Sequence, residues 1–483
     1  MYSRRFLLAG LLATTATAAG ATAPTMSARP VARSDDFARK VDPTAKDIVG
    51  QAGLSGVTGF AVADATSGIN IEQFQADEAL PPASVAKMLT ALYGLDRLGA
   101  GFRFNTRLVS DGVIEGGTLR GDLWLVGGGD PTLNTDDLGR MVADLHRSGV
   151  RSIDGSFYVQ NSALPAIPFI DRDQPDYLGY NPTIGAVNLN FNRVHFEWRR
   201  GADGYRTTMD ARAKRHAPAV EMATMRIVSR DFPVYAYALE KGRDAWTVSR
   251  SALGGGGARW LPVRQPALYA ADVFGQLARA KGISLPAGQV TDRPAKGRVL
   301  VQHASVPLSE MCRDMLKFST NLTAEVIGLQ ASGAKTLRSS AAAMNEWAKE
   351  RFGVDAQLVD HSGLGDRSRI SASDLVQILV AAANGPIGAL MKPIKLRDAN
   401  GKVVDGQGIE VTAKTGTLNF VSTLAGYVIT PQGTKWAFAI VSADLAARGK
   451  IKKSDRERPR GASGWNRRAK SMQQRLLHRW GRA

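Results

Sequence analysis

Val85, Met88, Leu89, Leu92, Leu95 and Leu98 recur at spacings of three and four, behind Pro81-Pro82-Ala83 and ahead of Gly99. That period predicts an amphipathic helix, opened by proline and closed by glycine. Elsewhere the pattern changes. Val57 to Ala63 and Ile69 to Phe74 are short β-type runs joined by Asp64-Ala65-Thr66-Ser67-Gly68, which is a hairpin signal. Toward the carboxyl end, Val411 to Thr417, Thr423 to Thr430 and Lys435 to Ala443 are three further runs, the last two joined by Pro431-Gln432-Gly433.

The middle of the chain has another character. From about Phe104, short strands (Leu119 to Val126, Ser156 to Gln160) alternate with glycine turns and one helix around Asp136 to His146. Residues 166–264 are irregular, with β-like alternation at 187–191 and 194–198. Helical patterning resumes at Ala270 to Ala280 and at Leu308 to Gln330. Gly254 to Gly257 lacks the strand-to-helix setting and the trailing Lys-Ser/Thr of a phosphate-binding loop. No internal repeat marks a solenoid.

At 483 residues the chain exceeds one compact core, and two or three domains are expected. With 44% hydrophobic and 22% charged residues it has the composition of a folded protein rather than a disordered one. Cys312 is the only cysteine, so no internal disulfide forms, and a small buried filler is its expected role. Arg4 and Arg5, the apolar run Phe6 to Ala13 and the small-residue stretch up to Ala23 read as an export signal over 1–23, and Ser3-Arg4-Arg5-Phe6-Leu7 is similar to a twin-arginine signal. The apolar run is shorter than the roughly 20 residues of a membrane span.

The net charge of +18 is uneven. Between Arg448 and Ala483 stand thirteen Lys and Arg against Asp455 and Glu457, which is +11 of the total. Such a segment suits anionic lipid headgroups or acidic wall polymers, and export argues against nucleic acid as the partner. The plainer reading is a solvated charged loop and a terminal helix, Trp465 to Trp480, that closes a sheet.

Three short motifs carry chemistry. In Ser84-Val85-Ala86-Lys87 the serine stands at a helix start, where the helix dipole favours negative charge, and the lysine lies on the same helical face. As a base that lysine has to be neutral, which burial can arrange. Ser319-Thr320-Asn321 interrupts an apolar helical pattern, and such a break can point hydroxyl and amide groups into a cleft. Lys414-Thr415-Gly416-Thr417 lies on a β-type run, where glycine lets a substrate backbone approach as an added strand and the lysine offers a positive charge to a carboxylate. Each motif alone is common, and each has a plain reading: a helix cap, a helix joint, a strand end.

The ordered set is far less common. S-x-x-K, then S-x-N, then K-T-G resembles the signature of serine β-lactamases and penicillin-binding proteins. Pro82 to Lys87, Gly121 to Leu133, Asp360-His361-Ser362-Gly363-Leu364 and Ser368 to Ala372 are further similar to the D-alanyl-D-alanine carboxypeptidase/endopeptidase family of the penicillin-binding protein 4 type, peptidase family S13.

The resemblance implies an α+β fold: a transpeptidase-like domain, an antiparallel sheet flanked by helices, made from 36–104 and 299–483, with nested β-rich insertions. Domain II would comprise 105–165 and 265–298, and domain III 166–264. It implies Ser84 as acylated nucleophile, Lys87 as general base, Ser319 and Asn321 as proton relay and substrate-positioning groups, and Lys414 as an electrostatic tuner. Thr415, Gly416 and Thr417 would bind substrate, and the Ser84 and Thr417 N–H groups would form an oxyanion hole. Peptidoglycan stem peptides are the implied substrates and β-lactams the acylating inhibitors, in the periplasm, with no cofactor and no metal.

Two departures stand out. Asn161 falls near a position where the family has an acidic residue, and His361 stands where glycine is usual; a structural or substrate-lining role suits His361 better than a catalytic one. The alternatives are a β-lactamase, against which the long insertion argues, and a catalytically idle wall-binding scaffold, against which three intact motifs argue.

Overall fold

The computed structural model describes residues 43–398 and 400–482. The export segment at 1–23 and most of the linker that follows lie outside the described residues.

Strand Val57–Asp64 pairs antiparallel with Asn70–Phe74 on one side, as the turn between them predicts, and with Lys435–Ala443 on the other. The complete sheet runs Lys392–Pro393, Glu410–Leu418, Val421–Ile429, Lys435–Ala443, Val57–Asp64, Asn70–Phe74, with every neighbour antiparallel. Both faces are covered, which explains why the central strands are apolar almost throughout. On one face Ala61, Ala63, Ala425 and Ala437 share a core with the helices Ala86–Leu98, Leu308–Phe318, Asn321–Ser332 and Ala372–Ala381. On the other, Phe60, Val62, Phe438 and Ile440 meet Met472, Leu476, Leu477 and Trp480 of the terminal helix Ala462–Gly481. Each such side chain contributes about 1.5–3 kcal/mol when fully buried.

A second core surrounds a five-stranded mixed sheet in the order Gly288–Thr291, Phe157–Gln160, Leu123–Val126, Asn105–Ser110, Arg298–Ala304. The helix Thr135–Arg147 covers it, started by a capping box in which Asn134 accepts from the N–H of Asp137 and Asp137 accepts in return. The helix Pro266–Ala280, with proline in its first turn, lies beside it. Two three-stranded sheets fall within 193–262. Arg298–Ala304 pairs with Asn105–Ser110, so the chain returns to the helices only after Ala304, a few residues past 299. Cys312 is fully buried, and burial pushes its thiol up to about 12, which suits an inert filler. Among the described residues no helix is long and apolar enough to cross a membrane.

Candidate active site

Ser84 sits in the 3₁₀ turn Ala83–Val85 that leads into the helix Ala86–Leu98, and Gly99 ends that helix with φ 84°. Ala83, immediately before the serine, has φ 47°, a left-handed backbone that costs an ordinary residue about 1–2 kcal/mol. Its surroundings hold it there. A Cβ on Gly363 would meet the Ala83 carbonyl at 1.8 Å, and one on Gly416 would meet Thr423 Oγ1 at 2.0 Å and the Pro82 carbonyl at 2.8 Å. Thr423 Oγ1 donates to that Pro82 carbonyl at 2.8 Å. Glycine at 363 and 416 thus lets a loop and a strand close on the serine turn from two sides.

Lys87 is fully buried, and its Nζ donates to Ser84 Oγ at 2.9 Å, Asn321 Oδ1 at 2.8 Å and the Ser362 carbonyl at 2.7 Å. Those three acceptors satisfy the three ammonium protons. Burial pulls its pKa down to about 8, while Glu325 and then Asp360 push back. Both carboxylates are themselves buried. Glu325 accepts from the N–H groups of His361 (3.0 Å) and Ser362 (2.9 Å), and Asp360 from those of Gly363 (2.7 Å) and Gly365 (2.6 Å). Together they fold 360–365 so that the Ser362 carbonyl faces Lys87. Burial raises the pKa of both, but acceptance of N–H bonds by both oxygens is the geometry of the ionised form.

Ser319 ends the helix Leu308–Phe318 in the left-handed region, φ 60° and ψ 40°, and Asn321 opens the next helix. The break read from the sequence is real. It turns the Ser319 hydroxyl toward Lys414, whose Nζ donates to it at 3.0 Å and to the Thr415 carbonyl at 2.8 Å. Burial, then the charges of Lys87 and Lys392, lower the Lys414 pKa to about 6. Ser84, Ser319, Asn321, Ser362 and Thr417 line one cleft of about 280 Å³. Thr415 and Thr417 lie on the other face of their strand from Lys414 and Gly416, because side chains alternate.

The cleft's outer wall comes from residues the sequence did not single out. Tyr180 accepts from Asn321 Nδ2 through its carbonyl at 2.9 Å, and its loop is held by Arg264, which donates to the Asn181 carbonyl at 3.0 Å. The basic segment supplies the rest. Arg448 and Arg456 both reach the Asp366 carboxylate, Arg456 at 3.0 Å, and both line the cleft with Glu457. Glu457 pairs with Arg259 at 2.9 Å, and Lys453 with Asp176 at 3.2 Å. This part of the segment is therefore packed against the cleft and not a free tail.

His361 is buried away from the cleft. Its Nε2 lies 2.7 Å from Ser340 Oγ, and burial lowers its pKa to about 3, so it is neutral and structural. A Cβ on Gly328 would meet its ring at 2.2 Å, so glycine there makes room for the imidazole. Asn161 Oδ1 accepts from the Ala186 N–H at 3.0 Å, which ties up the side chain locally. Among the described residues no cluster of His, Cys, Asp and Glu could hold a metal ion.

A mixed α+β architecture whose antiparallel sheet backs a serine- and lysine-bearing helix defines the penicillin-binding fold. The chain belongs to the D-Ala-D-Ala carboxypeptidase 3 (S13) family, which matches residues 44–459. It is 27% identical over 453 residues to the D-alanyl-D-alanine carboxypeptidase of Actinomadura sp. (strain R39), covering 85% of this chain and 81% of that one. Its identity to the D-alanyl-D-alanine carboxypeptidase DacB of Haemophilus influenzae is 25%, over 74% and 79% of the two chains. The crystal structure of penicillin binding protein 4 from H. influenzae superposes with a TM-score of 0.71 at 19% identity, covering 92% of this chain and all of that one. That protein is also known in complex with a β-lactam.

Proposed function

We propose that this peptidase is a serine-type D-alanyl-D-alanine hydrolase of peptidoglycan peptides that works through an acyl-enzyme on Ser84. The observation that carries the reading is the contact of buried Lys87 Nζ with Ser84 Oγ at 2.9 Å, at a pKa near 8. Neutral Lys87 takes the Ser84 proton as Oγ bonds to the D-alanyl carbonyl carbon. The oxyanion would face the N–H groups of Ser84 and Thr417, two residues of the same cleft. The C–N bond then breaks, and the leaving amine takes up the proton that Lys87 accepted, handed on by the Ser319 hydroxyl to which Lys414 donates, while Asn321 holds the Lys87 amine in place. Water repeats the sequence on the ester, releasing the carboxylate and restoring the hydroxyl. Thr415 would hold the carboxylate of the leaving residue.

The reading assigns the catalytic half to the six-stranded sheet and its helices, and a substrate-shaping role to the inserted domains. It requires delivery across the cytoplasmic membrane to the periplasm, which the Arg4-Arg5 segment would direct. Intact mass after incubation with penicillin tests it. One adduct on the wild type and none on Ser84→Ala is expected; an unmodified wild type would sink the proposal.

A further inference from the structure

The glycine run that begins at Gly254 borders a cavity of about 460 Å³, whose lining includes Arg200, Tyr205, Arg250 and Ser251 and no residue of the Ser84 cleft. Strand Arg193–Gly201 lies between Gly204–Asp210 and Gly256–Pro262, and Arg200 stands directly opposite Tyr205. Side chains alternate, so both share the face of Trp198, over which the turn Arg250–Ala252 folds. Two bonds fasten that turn. Trp198 Nε1 donates to the Leu253 carbonyl at 2.7 Å, and Tyr205 Oη to the Gly254 carbonyl at 2.6 Å. Gly254 turns the chain with φ 59°, and a Cβ on Gly254 or Gly255 would meet nothing within 4 Å, so this side of the cavity is open.

No carboxylate lines the cavity. Among the described residues neither Arg200 nor Arg250 has an ion pair or a side-chain hydrogen bond, and Asp203 in the adjoining turn pairs with neither. Four other arginines of this stretch are engaged: Arg212 with Asp210, Arg226 with Glu240, Arg230 with Thr247 and Arg259 with Glu457. Arg199 and Arg206 are also unpaired among the described residues, but they oppose each other on the far face of the sheet. Two guanidinium groups from separate elements thus share a concave site without a counter-charge.

We infer that this cavity binds a phosphorylated sugar, its phosphate held between Arg200 and Arg250 and its ring against Tyr205. A carboxylate has two oxygens in one plane, and a single guanidinium fork satisfies both. Guanidinium groups set on different walls suit a tetrahedral phosphate, whose oxygens point in several directions. The Ser251 hydroxyl, 2.7 Å from Ser249 Oγ, keeps hydrogen-bonding capacity for the same group. Tyr205 offers an amphipathic ring, fixed by its own bond to Gly254. The volume falls within the about 300–1,000 Å³ of small-ligand sites, and a concavity of that size takes a discrete group rather than a flat bilayer. Guanidinium groups here replace the backbone cradle of a phosphate-binding loop. The site is independent of the reaction at Ser84.

Titration calorimetry of the full chain at about 0.05 M salt tests it, with glucose 6-phosphate, glucuronate and glucose as probes. Glucose 6-phosphate is expected to bind more tightly than glucuronate, and glucose to give no heat of binding. Arg200→Gln/Arg250→Gln should weaken the phosphate complex roughly tenfold or more. Arg199→Gln/Arg206→Gln removes the same charge from the far face and should change it less than about threefold. All four side chains are exposed, so thermal melts should match the wild type; if the pocket variant melts early, Arg250→Gln alone is compared. No binding of glucose 6-phosphate by the wild type, equal binding of glucuronate, or equal losses in the two double variants would each overturn the inference. A chain that sediments with phosphatidylglycerol vesicles through Arg200 and Arg250, yet ignores glucose 6-phosphate, would assign the site to a lipid headgroup and overturn it as well.

Discussion

Lys414 Nζ and Ser319 Oγ are 3.0 Å apart, a bond between the strand Glu410–Leu418 and the left-handed residue that ends the helix Leu308–Phe318. Among the described residues this amine has, apart from Ser319, only the Thr415 carbonyl as acceptor, and the Lys87 charge lies nearby. With its pKa held near 6, Lys414 is mostly neutral at pH 7. The sequence suggests a fixed charge there. A bound carboxylate would draw the proton back and restore that charge.

The pH dependence of acylation follows from Lys87. Only the neutral amine accepts the Ser84 proton, so the second-order rate of penicillin acylation should climb with pH and level off above about 8, with about a tenfold loss per unit below it. A profile flat between about pH 6 and 9 would count against Lys87 as base.

Glu325→Gln should move that profile. Glu325 is the strongest influence holding the Lys87 pKa up, so its neutralisation shifts the midpoint to lower pH by roughly one unit. An amide can accept only one of the two N–H bonds that Glu325 now accepts, so stability should also fall by about 1–3 kcal/mol. Denaturant melts and the acylation profile separate the two effects, since lost packing alone leaves the midpoint in place.

Gly416→Ala tests the closeness of strand and serine turn. The new Cβ would lie 2.0 Å from Thr423 Oγ1 and 3.0 Å from the Ala83 Cβ. Overpacking of this kind costs about 1–3 kcal/mol. Because the displaced turn carries Ser84, acylation should slow at least about tenfold; an unchanged rate would show that the turn does not depend on this contact.

Asp366→Ala leaves Arg448 and Arg456, both mostly buried, without their shared carboxylate. A loss of about 2–4 kcal/mol is expected from the uncompensated charges, read as a lower Tm. Replacing Arg448 with methionine in that background should recover part of it.

Much of this arrangement can be read from the sequence where the signal is local. The helix after Pro82, the hairpin at 57–74, the polar break at Ser319 and the terminal helix each follow from the period or turn chemistry of a few neighbouring residues. Gly416 has the residue type that a close backbone approach needs, although what approaches it cannot be read there. Other features depend on partners far along the chain. Glu325 looks like one polar residue in an apolar helix until the 360–365 loop folds onto it. Asp360 did carry a local hint, since an aspartate followed closely by glycines is a loop signal, and here the N–H groups three and five residues on donate to its carboxylate. Arg448 and Arg456 were counted with the other cations of their segment because charge composition does not tell a paired arginine from a free one. Arg200 and Arg250 illustrate the same gap from the opposite side.

The order of strands in the six-stranded sheet has a consequence for the birth of the molecule. Val57–Asp64 has Lys435–Ala443 as its inner neighbour, and the serine turn rests on Gly416 and Thr423. A growing chain carries Ser84 from early in its synthesis, but until residue 443 has been made the first strand lacks this partner. The serine remains an ordinary hydroxyl throughout that interval, and reactivity arrives only with the final fold. A chain interrupted anywhere before that point should be unable to take up penicillin, however complete its inserted domains.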